Sequence, residues 1–407
     1  MKAMGPIPAG FAAGADGDLL IGRARASDLV REGTPVFAYD RDRIEEQIRL
    51  FRAAMPSYPG LKLHYAVKAN PNPDLLSFIQ PLVDGFDVAS EREWHEVVRW
   101  DPMPISWAGP GKTELNVMDA VCRGVTLNIE SEREFKLALQ FWDREVRPPQ
   151  IAVRVNPPFG LKGSGMKMGG LASQFGVDHE RVAPLVRRII EAGAEWRGLH
   201  VYAGSQSLSA EAVSEMQRAT VGLAAEIATE VGATPPEVNL GGGFGIPYFA
   251  GDEELDIWAV GAALKETLDA RPAILGDTKF VIELGRWLVG EAGVYLTRVV
   301  DRKVSRGKTF LVVDGGLHHM LAASGNFGQL LRRNYPVAVA NRFGAEAEEE
   351  VTVVGCLCTP LDLLADEVML PRAEVGDVIA IFCAGAYGLS ASPQAFLSQA
   401  EAREVLV

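Results

Sequence analysis

Leu63-His64-Tyr65-Ala66-Val67-Lys68-Ala69-Asn70 is an apolar, β-rich run that closes on a single lysine. Gly85-Phe86-Asp87-Val88-Ala89-Ser90 repeats the design, with an acid and a serine at its end. Outward from these two, Pro104–Ala108, Gly124–Ile129, Gln150–Val155, Arg197–Ala203, Glu237–Leu240 and Lys279–Ile282 have the same texture, about eight runs in all. Helical patterns fall between them, at Glu91–Arg99, Glu132–Trp142, Val182–Ala192 and Ala210–Glu230. Strands alternating with helices predict a parallel sheet, and eight units in roughly 220 residues fit a closed (β/α)8 barrel. An open doubly wound sheet is the alternative.

Polar residues gather where the runs end: Lys68, Asp87 and Ser90, Lys112, Asn128 and Glu130, Arg154 and Asn156, Tyr202 to Ser205, Gly241 to Gly245, and Glu283 with Arg286. A barrel builds its active site where the C-terminal ends of its strands converge, so this is the rim an enzyme of that fold requires. Beyond Glu291 the texture changes. Gly293–Val300, Thr309–Val313, Glu350–Gly355 and Asp377–Phe382 are β-like with few helices between. The expected organisation is a barrel over 36–290 and a β-rich sandwich or barrel domain from 1–35 plus 291–407. Leu19–Ile21 would add a strand to that second domain.

The chain has 407 residues, 40 Lys+Arg against 53 Asp+Glu, a net charge of −13 and four Cys. That length predicts two to three domains at about 100–200 residues each. An acidic chain without a basic block is a poor nucleic-acid ligand. No apolar run approaches the ~20 residues of a membrane helix, and the first residues do not read as a signal peptide. The expected location is the cytoplasm. Four Cys in such a length are no disulfide framework. Cys122 and Cys383 lie in apolar surroundings and read as packing residues. Cys356-Leu357-Cys358 lacks the second pair a zinc site needs, and His318-His319 reads as structural, so no metal is expected.

Three local patterns carry chemistry. Lys68 at a strand end either snorkels to water or, desolvated in a barrel mouth, attacks a carbonyl as a neutral amine. Gly241-Gly242-Gly243-Phe244-Gly245 is either a tight turn or a cradle of backbone N–H groups for a phosphate. It is neither a P-loop nor a dinucleotide fingerprint. Glu283-Leu284-Gly285-Arg286 puts a carboxylate and a guanidinium on one turn: an ordinary surface pair, or an acid aimed at a cationic ring nitrogen beside an anion site.

In their order along 35–390, these motifs resemble the fold-type III pyridoxal-phosphate decarboxylases, the diaminopimelate, ornithine and arginine decarboxylases among them. The resemblance rests on Tyr65–Asn70, Gly85–Ser90, Arg154-Val155-Asn156-Pro157, Gly204-Ser205-Gln206, Gly241–Gly245, Glu283 with Gly285-Arg286, Cys358 with Asp362, and Gly385-Ala386-Tyr387. Gly241–Phe249 and Leu321–Gly328 look closest to the branch found near exosortase and exopolysaccharide genes. The resemblance implies pyridoxal 5′-phosphate (PLP) held covalently by Lys68, with Glu283 on the pyridine nitrogen. It places Asp87, Arg154, Tyr202, Ser205, Gly241, Gly242, Gly243, Gly285, Arg286 and Tyr387 around the cofactor. It further implies a homodimer with shared sites, Cys358 crossing from the partner to return a proton. Racemases of this fold carry Arg where Glu283 stands, so Glu283 argues for decarboxylation.

The departures concern the substrate. Tyr202 stands where the family has a ring-stacking His, with His200 two residues earlier. Thr359 follows Cys358 where an acid binds a distal ammonium, and Leu284 replaces a proline of the turn. Arg332 and Arg333, before Tyr335, occupy a stretch that carries another acid in ornithine decarboxylases. With Thr359, Asp362, Arg332, Arg333 and Tyr335 as substrate-facing residues, the expected substrate is a free amino acid or a carrier-protein-bound aminoacyl group without a distal ammonium, since a buried ammonium there lacks a counter-charge. The loop Gly160–Gly170, with Lys162 and Lys167, reads as either a lid or a surface loop. The alternatives are a racemase, a diaminopimelate decarboxylase proper, or a non-enzymatic PLP-binding protein.

Overall fold

In a computed structural model, the described residues are 1–100, 103–161, 166–167 (backbone only), 170–329 and 331–407. The chain divides into two compact units: 48–245 with 255–284, and 1–47 with 246–254 and 285–407. Residues 36–47, 246–254 and 285–290, within the span expected for the barrel, therefore group with the β-rich unit.

The first unit is a closed parallel barrel. Its strands are β1 (Leu61–Ala66), β2 (Gly85–Val88), β3 (Ile105–Trp107), β4 (Thr126–Ile129), β5 (Gln150–Asn156), β6 (Glu195–Val201), β7 (Glu237–Asn239) and β8 (Lys279–Leu284). Each pairs with the next in parallel, and β8 pairs with β1 to close the ring. All eight predicted runs are barrel strands, so the open sheet is excluded.

Helices start promptly after strands because the connecting residues cap them. Ser90 accepts from Glu93 N at 3.2 Å, Ser131 from Glu134 N at 3.3 Å, and Ser209 from Ala212 N at 3.1 Å. The Ser90 expected at the rim is thus a helix cap. His179–Glu191 buries Val182, Ala183, Leu185, Val186 and Ile189, the one-sided stripe of a helix laid on a sheet.

Inside the barrel a different rule holds. Each strand contributes a buried polar residue: His64, Asp87, Ser106, Asn128, Arg154, His200, Asn239 and Glu283. Nearly all are flanked by apolar residues, as His64 is by Leu63 and Tyr65, and Glu283 by Ile282 and Leu284. The period of two sends the polar members and their apolar neighbours to opposite faces. Burying this belt is tolerable because its members bond to one another or to neighbouring groups: His64 to Asp87, Asn128 to Ser106, His200 to Glu283, and Arg154 to Glu130.

The second unit is β-rich. Gly293–Ser305 pairs antiparallel with Lys308–Val313, Val378–Ile381 and Val36–Tyr39. Glu349–Val354 and Leu363–Leu370 extend the sheet, and Arg403–Leu406 joins through Val36–Tyr39. Leu19–Ile21 is a strand, but in a separate three-stranded sheet with Ala12–Ala13 and Ala24–Arg25. Cys383 is buried, whereas Cys122, read as a packing residue, is exposed on the outer face of its helix. Among the described residues, no helix is long and apolar enough to cross a membrane.

Candidate active site

Lys68 sits on a single 3-10 turn, Val67–Ala69, that ends β1. Its Nζ is 3.1 Å from Glu283 Oε1, and 4.9 Å from the ring centre of Tyr202. The other carboxylate oxygen, Oε2, lies 3.1 Å from His200 Nε2. Burial by itself would raise the pKa of Glu283. The Lys68 ammonium and the His200 hydrogen bond outweigh it and hold the carboxyl well below its ordinary range. A strand-end amine, an ionised carboxylate and an imidazole thus meet at the C-terminal rim of the barrel. Sequence reading missed the His200 contact. The contact crosses from β6 to β8, so spacing along the chain gave no signal for it.

Next to this cluster, His64 Nδ1 faces Asp87 Oδ2 at 3.2 Å. Burial would lower the pKa of His64, but Asp87 overrides it and raises it. Arg154 donates to Glu130 Oε1 at 3.0 Å, and Lys112 to Glu134 Oε2 at 3.1 Å. Burial lowers the pKa of Lys112 against the pull of the two glutamates. This buried quartet spends the charge of Arg154 inside the rim.

The glycine turn after β7 is built for close approach. Gly241 and Gly243 hold φ of 69° and 78°, where a side chain is strained. A Cβ on Gly242 would collide with the carbonyl oxygen of Glu283. The turn is stitched to the small residues after β6: Ser207 N donates to Gly243 O at 2.9 Å, and Gly245 N to Ser207 O at 2.8 Å. Ser205 is buried beside it. The Gly241 N–H is taken by Asn239 Oδ1 at 2.8 Å, and the missing side chains leave the turn open to close approach by an anion.

In the β-rich unit, Arg286 follows Gly285 and starts a short helix, Arg286–Val289. Its Nη1 donates to Tyr248 Oη at 2.8 Å, and its guanidinium lies 4.6 Å from the ring centre of Tyr387. Burial opposes the charge of Arg286, but the two tyrosine hydroxyls outweigh it and raise its pKa. Burial pushes the Tyr248 hydroxyl up to about 12. Tyr387 holds a left-handed backbone, φ 53°, a strain that bulky residues adopt mainly at functional positions. Tyr248 was not legible, because only tertiary folding brings it to Arg286.

The substrate-facing expectations fall into two groups in this unit. Tyr335 is buried, 4.8 Å from Tyr248 and 5.6 Å from Phe249 ring to ring. Arg333 is exposed, with its guanidinium 3.8 Å over Phe249 and 3.9 Å from Asp252. Arg332 is turned to backbone, donating to Ser324 O at 3.1 Å and Leu363 O at 2.7 Å. Cys358 is exposed on the turn 355–362. Asp362, in contrast, is buried and accepts from Leu317 N at 2.6 Å and Leu357 N at 2.8 Å. The loop 162–165 with 168–169, and the side chain of Lys167, lie outside the described residues.

The pyridoxal-dependent decarboxylase, pyridoxal binding domain family matches residues 41–290. The L-glutamyl-[BtrI acyl-carrier protein] decarboxylase of Niallia circulans is 35% identical over 92% of this chain and 88% of its own. The diaminopimelate decarboxylase of Methanothermobacter thermautotrophicus is 34% identical over 96% and 91%. The crystal structure of the M. jannaschii diaminopimelate decarboxylase with L-lysine has a TM-score of 0.88 at 24% identity, covering 98% of this chain and 92% of that one, a likeness of fold. The chain therefore belongs to the pyridoxal-dependent decarboxylases, carboxy-lyases of fold-type III that use pyridoxal 5′-phosphate.

Proposed function

We propose that this enzyme removes the α-carboxylate of an amino acid, or of an aminoacyl group on a carrier protein, whose distal end bears no free ammonium. The observation that carries the reading is Asp362. It is the only acid in the turn that holds Cys358, and it spends both oxygens on backbone N–H groups. Thr359, the residue after Cys358, is uncharged. Arg333, exposed on Phe249, adds a cation. An ammonium buried beside such a loop would lose its hydration without gaining a counter-charge. The relative acting on an L-glutamyl-acyl-carrier protein supports the same class.

The residues fit the cofactor. Glu283 is ionised and points one oxygen at the amine that would carry PLP. In the barrel unit, Ser205 and the turn Gly241–Gly243 would hold the phosphate, the glycines by letting backbone approach it closely, since the Gly241 N–H itself is bonded to Asn239 Oδ1. When bound, PLP supplies the ring that takes up the electron pair left as CO2 departs. Lys68 holds the cofactor through Nζ. Glu283 keeps a proton on the ring nitrogen, and Tyr202 offers an aromatic face. Cys358 returns a proton to Cα of a substrate bound to a second copy of the chain, in a homodimer. Its exposure on one chain supports this.

The test is CO2 release from L-lysine, L-ornithine, meso-diaminopimelate, L-glutamate and a glutamyl-loaded acyl-carrier protein. Turnover is expected with the last two alone. Efficient release from lysine or ornithine would overturn the reading, and preference for diaminopimelate would move the enzyme to that activity.

A further inference from the structure

We propose that His200 is a positioning residue that fixes the rotamer of Glu283, and so sets how firmly this carboxylate holds the proton on the cofactor's ring nitrogen. The inference rests on the reading of Glu283 given above.

The backbone of Glu283 is already immobile. Its N–H donates to Gly241 O at 2.9 Å, its carbonyl lies against Gly242, and β8 is paired on both sides. The remaining freedom is the side chain, which is 3% exposed. Two donors divide its oxygens: Lys68 takes Oε1 and His200 takes Oε2. They are not equivalent. Lys68 must give up its ammonium protons to attack a carbonyl, so its ion pair with Glu283 does not survive the chemistry it serves. His200 has no such task. Its ring is 4% exposed, and its Nδ1 has no partner among the described residues. Nε2 faces a carboxylate and therefore carries the hydrogen.

The contact also spans a strand. His200 is on β6 and Glu283 on β8, with β7 between them: Asn239 pairs with His200 on one side and with Val281 on the other. An imidazole reaching past a neighbouring strand to one carboxylate oxygen leaves the other oxygen aimed at the rim. A carboxylate buried without this donor would regain a higher pKa and an unfixed rotamer, both of which weaken its hold on a ring proton. The imidazole absent from the stacking position at Tyr202 thus has a different task two residues upstream.

Two variants with the same chemistry and different reach test this. His200→Gln places an amide N–H near the locus of Nε2. His200→Asn places it near Nδ1, too short to reach Oε2. Each is reconstituted with PLP labelled with 15N in the ring. The measurements are the 15N shift against pH, the PLP dissociation constant, kcat and KM. The Gln enzyme should stay within about 5-fold of wild type. The Asn enzyme should lose about 10- to 100-fold in kcat with KM nearly unmoved, the range for losing a hydrogen bond to a charged group. Its ring nitrogen should also lose its proton at lower pH. Gln and Asn enzymes indistinguishable in kcat and 15N shift would overturn the inference. If the Asn enzyme does not fold, as read from the melting of the apoprotein, His200→Phe serves as the non-donating variant. Glu283→Gln is measured in parallel. A ring nitrogen that stays protonated there sinks the reading of Glu283, and the inference with it. If Glu283→Gln loses the proton and His200→Asn keeps it, the inference alone falls.

Discussion

Among the described residues, two histidine–carboxylate pairs of nearly equal geometry are buried in the barrel, His64 with Asp87 at 3.2 Å and His200 with Glu283 at 3.1 Å. Both are buried, and both belong to the inner polar belt. They differ in what meets the second carboxylate oxygen. Glu283 Oε1 has the amine of Lys68, while Asp87 Oδ1 has no partner among the described residues. A histidine and an acid in a barrel core are thus not by themselves a reaction centre. One pair braces β1 to β2. The other also meets a strand-end lysine, and the proposed chemistry is placed there for that reason.

Breaking the Lys68 side of that difference should have the largest effect. Lys68→Ala should lose more than about 10³-fold in kcat, in keeping with removal of a covalent group. Borohydride, which fixes PLP onto the wild-type chain, should leave it unlabelled by mass spectrometry. Labelling of the variant would move the covalent site elsewhere. Changing the other pair should read out as stability. His64→Leu strands a buried Asp87 charge, a loss of about 3–5 kcal/mol in urea unfolding. The fraction that folds should decarboxylate within about 10-fold of wild type. A larger kcat defect at full occupancy by PLP would erase the division of labour between the pairs.

How much of this was legible follows the same divide. The barrel strands were readable because each is a short apolar run closed by polar residues, and parallel strands bury both faces. The belt hid within them, since one polar residue among apolar neighbours reads as an interruption until a closed barrel gives it an interior. Lys68 and Glu283 could be named from their motifs. The bond from His200 could not, because it crosses β7, and spacing along a chain carries no information about the next strand but one. In the β-rich unit, Leu363–Leu370 went unread as a strand because Asp366 and Glu367 break its alternation. Glu367 has a left-handed φ of 53° there, and the register shifts opposite it. Asp362 stood out as an acid near Cys358, but one of the two backbone N–H groups it engages, Leu317 N, comes from a loop 45 residues upstream. The net charge of −13 describes the surface and gave no guide to the turn 355–362, whose one acid, Asp362, is already engaged.

The smallest effect, and the finest test of the comparison, is the pH dependence of the bracing pair. The pKa of His64 is raised above 6.5 in the folded chain, burial opposing and Asp87 prevailing. A group whose folded pKa lies above its unfolded value stabilises fully below the unfolded pKa, where both states hold the proton. That contribution fades as pH climbs from 6.5 through the raised value, because the folded state must then surrender a proton that Asp87 was holding. The apoprotein should therefore melt progressively lower as pH rises above 6.5 by a margin absent from His64→Asn, whose amide N–H sits near the locus of Nδ1 and can still donate to Asp87 but does not titrate. Each pH unit over which only the folded state is protonated is worth about 1.4 kcal/mol, so the difference should appear as a few degrees in Tm. Parallel curves for the two proteins would mean that His64 is neutral in the folded chain.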